Sequence, residues 1–308
     1  MGYLILILSL LRSIELNFNV LIMKKIFLAI FISSMIFVSQ SCETNLDMGQ
    51  IQYSDRLVVN ALLTTSDIVG VSVSNTYNVF DTTVPVPLMN ASVKFIDDNG
   101  NQTDLKLNLV TGKYEANVVP KAGKKYTILV NHPKYNSAQG ELTLPFEAVK
   151  NKSTFVDNTA LDPSGNPTGT ITLNLSDNGN ERNYYEINIY RYNDFLDQWF
   201  IMTPVTNDPN ISENAIQTNL GGILFTDKSF NGKTKTIPFI TEYASAGTKY
   251  KYLVEIKSLS SPYYQYFQSL QAYENTNSVF SEPNPIYSNI QGGRGICAGA
   301  SVFKDTIY

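Results

Sequence analysis

The stretch "ASVKFIDDNGNQTDLKLNLVTGKYEANVVPKAGKKYTILV" (residues 91–130) decides the fold class of this chain. Apolar and polar residues alternate along it in short runs, which is the pattern of half-buried β-strands. Asn99-Gly100 and Thr111-Gly112 interrupt the runs, and a glycine after a polar residue is typical of a hairpin turn. The stretch therefore predicts consecutive antiparallel strands with one face towards a core.

The same pattern continues on both sides of this stretch. Residues 55–148 contain seven predicted strands and resemble an immunoglobulin- or transthyretin-like β-sandwich. Residues 149–168 are rich in Asn, Ser, Asp, Pro, Gly and Thr, which is the composition of a linker. A second series of strands predicts a fibronectin-III-like sandwich at 169–308, with an insertion at 194–235. The predicted fold is therefore all-β, with two β-sandwich domains.

One segment, "SPYYQYFQSLQAYENT" (261–276), has a helical period instead. Its large apolar residues recur at intervals of three and four, which places them on one face of a helix. These residues are Tyr263, Tyr266, Phe267, Leu270 and Tyr273. Ser261 followed by Pro262 is typical of a helix N-terminus. We predict one short amphipathic helix near 262–274 that packs its aromatic face on the sheet of the second predicted sandwich. The alternative is an exposed aromatic face that stacks on sugars.

The N-terminal residues predict export. From Met23, two lysines precede the apolar run 26–38, which ends shortly before Cys42. Thirteen residues of helix cover about 20 Å, too short to cross a bilayer. We interpret residues 1–41 as a signal peptide whose true start is Met23. Cys42 resembles the lipidated cysteine of a bacterial lipobox, which makes 42–54 a lipidated tether; an ordinary signal peptide with an incidental cysteine is the alternative.

The charge of the exported chain excludes one class of partner. Loss of Arg12, Lys24, Lys25 and Glu15 reduces 23 basic and 27 acidic residues to 20 and 26, a net charge of −6. An acidic surface disfavours nucleic acid and is not attracted to anionic lipid. We therefore expect no nucleic-acid partner, and membrane attachment through a lipid anchor rather than through surface charge.

The sequence offers few groups for covalent chemistry. His132 is the single histidine, and its context "NHPKY" is typical of a turn. Neither a Gly-x-Ser-x-Gly elbow nor a His-Glu-x-x-His zinc motif is present. With Cys42 lipidated, Cys297 has no disulfide partner, and a zinc site lacks ligands. No catalytic residue, metal or cofactor is therefore predicted, although a carboxylate pair assembled by the fold would permit glycan hydrolysis.

The glycines of "SNIQGGRGICAGAS" (288–301) raise the question of a phosphate-binding loop. The spacing Gly293-x-Gly295-x-x-x-Gly299 is not Gly-x-Gly-x-x-Gly, and no helix is predicted downstream to receive a phosphate. We interpret the glycines as a tight turn followed by a closing strand.

The segment "FSEPNPIYSNIQGGRGICAGAS" (280–301) closely resembles the closing signature of a lipoprotein family of the Bacteroidota, domain-of-unknown-function family 4249. The matching residues are Ser288, Asn289, Ile290, Gly292, Gly293, Gly295 and Ile296. Cys297 departs from the signature, where Phe is usual, and the resemblance extends from Cys42 to the C-terminus. It implies a lipid-anchored outer-membrane protein, on the cell surface or the periplasmic face, whose relatives look like accessory proteins of TonB-dependent transporters.

The insertion 194–235 is predicted to contact a partner. Four aromatic residues lie there among Asn, Asp and Gly: Trp199, Phe200, Phe225 and Phe230. Aromatic side chains on loops are enriched at binding hot spots, so we expect contact with a TonB-dependent transporter or its cargo. The alternative is that the four rings cap the second core. The expected function is a non-enzymatic accessory or ligand-binding component; a surface hydrolase and a purely structural envelope protein are the alternatives.

Overall fold

The computed structural model of the protein describes residues 55–77, 86–148, 152–162, 164–218, 220–241, 251–276 and 284–307, together with Met23 and Lys25. These residues form sixteen strands and two helices and confirm an all-β sandwich fold. The strands are β1 (Leu57–Thr64), β2 (Val69–Asn75), β3 (Ser92–Ile96), β4 (Gln102–Asn108), β5 (Lys113–Ala116), β6 (Lys125–His132), β7 (Tyr135–Thr143), β8 (Thr154–Leu161), β9 (Pro167–Ser176), β10 (Tyr184–Asn193), β11 (Gln198–Met202), β12 (Ile216–Gln217), β13 (Ile223–Thr226), β14 (Thr234–Ile240), β15 (Tyr252–Leu259) and β16 (Arg294–Ile307). The helices are α1 (Pro209–Ser212) and α2 (Ser261–Glu274).

The first seven strands occur where alternation predicts them. In β1, every second side chain from Leu57 to Leu63 is buried, because one face of the strand lies on the core. The predicted turn after β3 is present: Gly100 has a φ of +82°, and Asp97 Oδ1 accepts hydrogen bonds from the backbone N–H groups of Asn99 and Asn101, both at 2.9 Å. The local sequence therefore predicts the strands and this turn in the first region.

Strand β16 joins the two predicted sandwiches into one sheet. Its residues Arg294–Ala300 pair in parallel with β1, and residues Ala300–Ile307 pair antiparallel with β15. The hydrogen-bonded path runs β12-β13-β10-β15-β16-β1-β2-β5-β4-β3-β6-β7. The predicted division into 55–148 and 169–308 is therefore corrected, because the last strand belongs to both regions. Val58 and its partner Arg294 are 294 − 58 = 236 residues apart, and such pairing has no local sequence signal.

A second, three-stranded sheet has the order β14-β9-β8. Its apolar side chains, including Leu173 and Phe239, share a core with Ile187 of β10 and Val254 of β15. The predicted linker 149–168 is corrected, since it contains β8 and the start of β9. Most side chains of β8 are exposed, so the strand lacks the alternation by which the other strands were predicted.

The predicted insertion 194–235 is not one irregular segment. It contains β11, the short helix α1, β12 and β13, and it ends in β14. Strand β13 pairs with β10 on one side and with β12 on the other, so it lies within the main sheet. The insertion prediction is therefore corrected: much of this segment completes the second sandwich.

Helix α2 confirms the single helical prediction. It lies against the small residues Ala298 and Ala300 of β16, and Tyr263 and Tyr264 are buried there. Tyr184 stacks on Tyr264 with 4.8 Å between ring centroids. The inner part of the aromatic face is therefore core, as predicted, whereas Tyr273 is exposed. Among the residues that the structure describes, no helix has the length and apolarity to cross a membrane.

The predicted signal peptide (1–41), the lipidation site Cys42 and the tether (42–54) lie outside the described residues, apart from Met23 and Lys25.

Candidate functional site

A β-hairpin formed by β10 and β11 projects at the edge of the main sheet. The two strands pair from Ile189↔Met202 to Asn193↔Gln198. The turn is closed by the side chain of Asn193, whose Oδ1 accepts hydrogen bonds from the backbone N–H groups of Phe195 and Leu196, both at 3.0 Å. Because these bonds satisfy the turn internally, the tip has a defined conformation.

The outer part of this hairpin is apolar and exposed. We call residues 193–202 the apolar hairpin. The exposed fractions of its large apolar side chains are Phe195 93%, Leu196 50%, Trp199 37%, Phe200 42% and Ile201 44%. Successive side chains of a strand alternate between its faces, so Trp199 and Ile201 lie on one face of β11 and Phe200 on the other. Single exposed apolar residues are ordinary on protein surfaces, but several large ones on one hairpin are typical of an interaction site.

The aromatic residues at the base of the hairpin are held in place. Tyr192 packs against Trp199 at 5.1 Å between ring centroids, and Lys251 Nζ lies 4.7 Å from the Tyr192 centroid and 5.5 Å from the Trp199 centroid. The Tyr192 hydroxyl donates a hydrogen bond to Asp197, and this bond raises the pKa of Tyr192. The indole is therefore positioned before any partner binds, which lowers the entropic cost of binding.

The structure separates the four aromatic residues that the sequence assigns to partner contact. Trp199 and Phe200 lie on the apolar hairpin, but Phe225 and Phe230 are 1% and 3% exposed. Both of these rings pack against Tyr185 in the second core. The contact prediction for Phe225 and Phe230 is therefore corrected. β13 places Phe225 on the inner face of the sheet, and Phe230 follows in the turn beyond it.

Sequence reasoning missed Phe195, Leu196 and Ile201. Phe195 and Leu196 follow Asn193 and Asp194, and two apolar residues between polar turn residues are the available signal for an exposed tip. Ile201 belongs to β11, whose exposure follows from its place at the sheet edge rather than from its own sequence.

The signature segment has a structural role around Asn289. The Asn289 side chain accepts a hydrogen bond from the Cys297 backbone N–H (2.8 Å) and donates one to the Cys297 carbonyl oxygen (2.7 Å). The side chain thus takes the place of a neighbouring strand beside β16. The adjacent Ile290 is 7% exposed and packs in the first core, and Gln291 pairs with Gln139 of β7 through two backbone hydrogen bonds. The side chain of Ser288 forms no hydrogen bond with any residue that the structure describes.

The signature glycines allow close approach of the backbone. Gly292 and Gly295 have φ values of +74° and +110°, and a Cβ at Gly295 would overlap the carbonyl oxygen of Val59. Gly293 has no positive φ, but its Cβ would lie 2.7 Å from the Leu57 carbonyl oxygen. The interpretation as a turn and closing strand fits this geometry.

Buried carboxylates of the second sandwich are used in ion pairs. Lys257 Nζ lies 3.1 Å from Glu186 Oε2 and 3.5 Å from Glu255 Oε1, and Lys304 Nζ lies 3.2 Å from Glu255 Oε2. The Tyr263 hydroxyl also donates a hydrogen bond to Glu186 Oε2 at 3.1 Å. The Glu186 side chain is 1% exposed and Glu255 is also largely buried, so both carboxylates lie inside the protein, and only Lys304 reaches the surface.

His132 lies in the turn between β6 and β7. Its Nδ1 accepts a hydrogen bond from the Lys134 backbone N–H (3.2 Å), and its ring packs against Tyr135. Within the described ranges, no group of three His, Cys, Asp or Glu residues is placed to hold a metal ion.

Comparison with known proteins gives one assignment. A family model described as a domain of unknown function, DUF4249, matches residues 43–306, which cover the signature segment, the apolar hairpin and all sixteen strands except the last residue of β16. No curated protein was found to be similar to the chain. Since the match extends over most of the sequence, the chain belongs to the DUF4249 family.

Proposed function

We propose that the protein is a non-enzymatic lipoprotein of the bacterial outer membrane that binds a TonB-dependent transporter through the apolar hairpin. The observation that carries this proposal is the group of exposed apolar side chains on residues 193–202. The lipid anchor is proposed because Cys42 follows a predicted signal peptide. The transporter is proposed as the partner because the sequence resembles this family.

A protein partner suits the apolar hairpin for two reasons. Large aromatic side chains such as Trp199 and Phe200 are the residues that contribute most to protein interfaces. Among the described strands, β11 pairs with β10 alone, so its outer edge presents backbone N–H and C=O groups. A partner strand that adds to this edge gains main-chain hydrogen bonds and apolar contacts at the same time.

The hairpin is tested with a double variant, Phe195→Asp with Phe200→Asp. The measurement is the amount of transporter that co-purifies with an affinity-tagged form of the protein from solubilised membranes. Two charges in the centre of an apolar interface remain desolvated and unpaired, so we expect this amount to fall at least about tenfold in the variant. Thermal unfolding checks that the variant is folded, which we expect because neither side chain belongs to a buried core.

The matched control is Leu109→Asp with Val110→Asp. These side chains are 77% and 95% exposed in the turn after β4, so the control adds the same charge at another exposed apolar pair. Equal recovery by the hairpin variant and the wild type would exclude the hairpin as the interface. Failure of the wild type to recover any transporter would overturn the proposed partner.

The anchor is tested separately with Cys42→Ser. Acyl chains on Cys42 are the proposed attachment to the membrane, so the variant should leave the outer-membrane fraction and remain in the soluble fraction. Retention of the variant in the membrane at the level of the wild type would contradict the lipoprotein assignment.

A further inference from the structure

Two basic side chains, Arg182 and Lys228, lie near the end of the β10–β13 strand pair. The strand register ends at Tyr184↔Thr226, and Asn183 and Asp227 extend the pairing by one residue. Asp227, which is 2% exposed, fixes this extension. Its Oδ2 accepts a hydrogen bond from the Asn183 backbone N–H (2.8 Å), and its own N–H donates to the Asn183 carbonyl oxygen (3.1 Å). The Phe230 N–H donates to the Asp227 carbonyl oxygen at 2.7 Å, so Lys228 lies in the turn that follows β13, and both cations line the same cleft.

This pair is not neutralised within the described part of the chain. Both side chains are exposed, and neither takes part in an ion pair there. Glu181 and Asp227 are their neighbours in the sequence, but neither carboxylate lines the cleft that Arg182 and Lys228 share. The lining of that cleft therefore carries two positive charges and no negative one.

Arg182 and Lys228 both line a cleft of about 670 Å³, a volume typical of small-molecule sites. Besides the two cations and the aromatic residues Tyr184, Phe225 and Tyr264, the cleft is lined by residues that carry neutral amides or hydroxyls. These include Asn210, Asn214, Ser229, Gln265 and Gln268. No carboxylate lines this cleft among the described residues. Amide groups both donate and accept hydrogen bonds, which suits a ligand with many hydroxyl groups.

We propose that this cleft binds an acidic saccharide, meaning a sugar that carries a carboxylate, sulfate or phosphate group. Arg182 and Lys228 bind the anionic group, and the amides of helices α1 and α2 and of the residues that follow α1 bind the hydroxyls. This site goes beyond the proposed partner binding and uses none of the residues of the apolar hairpin.

The ligand extends past a single sugar. Arg182 and Tyr184 also line a neighbouring cleft of about 570 Å³, next to the start of helix α2. In that cleft Lys125 is paired with Glu141 at 2.7 Å, so its charges are balanced. The anionic group is therefore bound on the Lys228 side, and the rest of an oligosaccharide continues past Tyr184 into the second cleft.

The test is calorimetric titration of the full-length, detergent-solubilised protein at low ionic strength. The probes are glucuronic acid, glucose 6-sulfate and glucose 6-phosphate, with glucose as the neutral reference. We expect the best of the three acidic sugars to bind at least about tenfold more tightly than glucose, and its affinity to fall as salt is added. The ranking of the three identifies the anionic group. Affinities that are no higher than that of glucose would overturn the proposal.

Two variants locate the site. Arg182→Gln and Lys228→Gln should each weaken binding of the preferred acidic sugar about tenfold or more, because each removes a charge-assisted hydrogen bond. Neither should lower the melting temperature, since both side chains are exposed and take part in no ion pair among the described residues. Lys106→Gln, at an exposed position of β4, is the control with the same change in charge. An equal loss in the control, or unchanged binding in both site variants, would refute the assignment.

Discussion

Strands β11 and β16 belong to the same sheet but have opposite surroundings. The sequence of β11, QWFIM, consists mainly of large apolar residues, yet its first four residues are exposed. The centre of β16, ICAGAS, consists mainly of small residues, yet all six are buried. β16 pairs with β1 along its first half and with β15 along its second half, and it has cores on both faces, whereas β11 pairs with β10 alone among the described strands.

This difference shows that position in the sheet, and not hydrophobicity, decides burial in this protein. Small residues are required where β16 approaches β1 and β7 closely, and large residues remain exposed at the edge. The comparison also separates architecture from binding: substitutions in β16 should affect folding, and substitutions in β11 should affect recognition.

The largest effect should come from Gly295→Ala. The new Cβ would overlap the carbonyl oxygen of Val59, and φ is +110°, so we expect the free energy of unfolding to fall by at least about 4 kcal/mol in chemical denaturation. Gly100→Ala is the control, because φ is +82° but nothing lies within 4 Å of its Cβ. A loss of about 1–2 kcal/mol is expected for the control. Equal losses would mean that close approach to β1 does not matter.

The second largest effect should come from Asn289, whose side chain forms the hydrogen bonds that a neighbouring strand would otherwise form with Cys297 of β16. Asn289→Ala removes both hydrogen bonds to the Cys297 backbone and leaves its N–H and C=O without partners. We expect a loss of about 2–3 kcal/mol in the free energy of unfolding. Asn131→Ala, whose amide oxygen accepts an exposed hydrogen bond from the Ser137 hydroxyl between β6 and β7, serves as the reference. A loss no larger than that of the reference would show that water replaces the Asn289 side chain.

A pH effect of intermediate size should arise from Cys297. Burial raises the pKa of this thiol to about 12, against 9.0 as its ordinary value. The unfolded chain loses this proton above pH 9 while the folded chain retains it, so stability is complete below pH 9 and falls as the pH rises towards 12. The slope is about 1.4 kcal/mol per pH unit, or about 2 kcal/mol at pH 10.5.

Denaturation curves of the wild type and Cys297→Ala between pH 8 and pH 10.5 isolate this contribution, because other groups titrate equally in both proteins. Parallel loss of stability in the two proteins would show that the thiol is solvated in the folded state.

The smallest effect on stability should come from the exposed strand. Phe200→Ala removes a side chain that is 42% exposed, so the free energy of unfolding should change by no more than about 0.5 kcal/mol. Phe225→Ala, in the buried strand β13, should cost about 3–5 kcal/mol. Similar values for the two variants would break the distinction between edge and interior.

Much of the local structure follows from the sequence. Alternation places β1 to β7, the helical period places α2 within one residue of its observed start, and the glycine pattern predicts β16. Of the candidate contact residues, Trp199 and Phe200 are exposed as the contact prediction requires. These features depend on neighbouring residues, whose spacing determines which face each side chain occupies.

The tertiary structure decides what depends on distant pairing. The parallel pairing of β16 with β1 and the burial of Phe225 and Phe230 result from contacts between distant segments. The same holds for Arg182 and Lys228, which lie in separate segments and which the pairing of β10 with β13 brings to one cleft. Strand β8 pairs with the adjacent β9 and was missed because most of its side chains are exposed. A strand has the same sequence pattern at the edge of a sheet as in its interior, because local periodicity records one buried face and not the number of neighbours. Only the assembled sheet determines which apolar strand is enclosed and which is left to bind a partner.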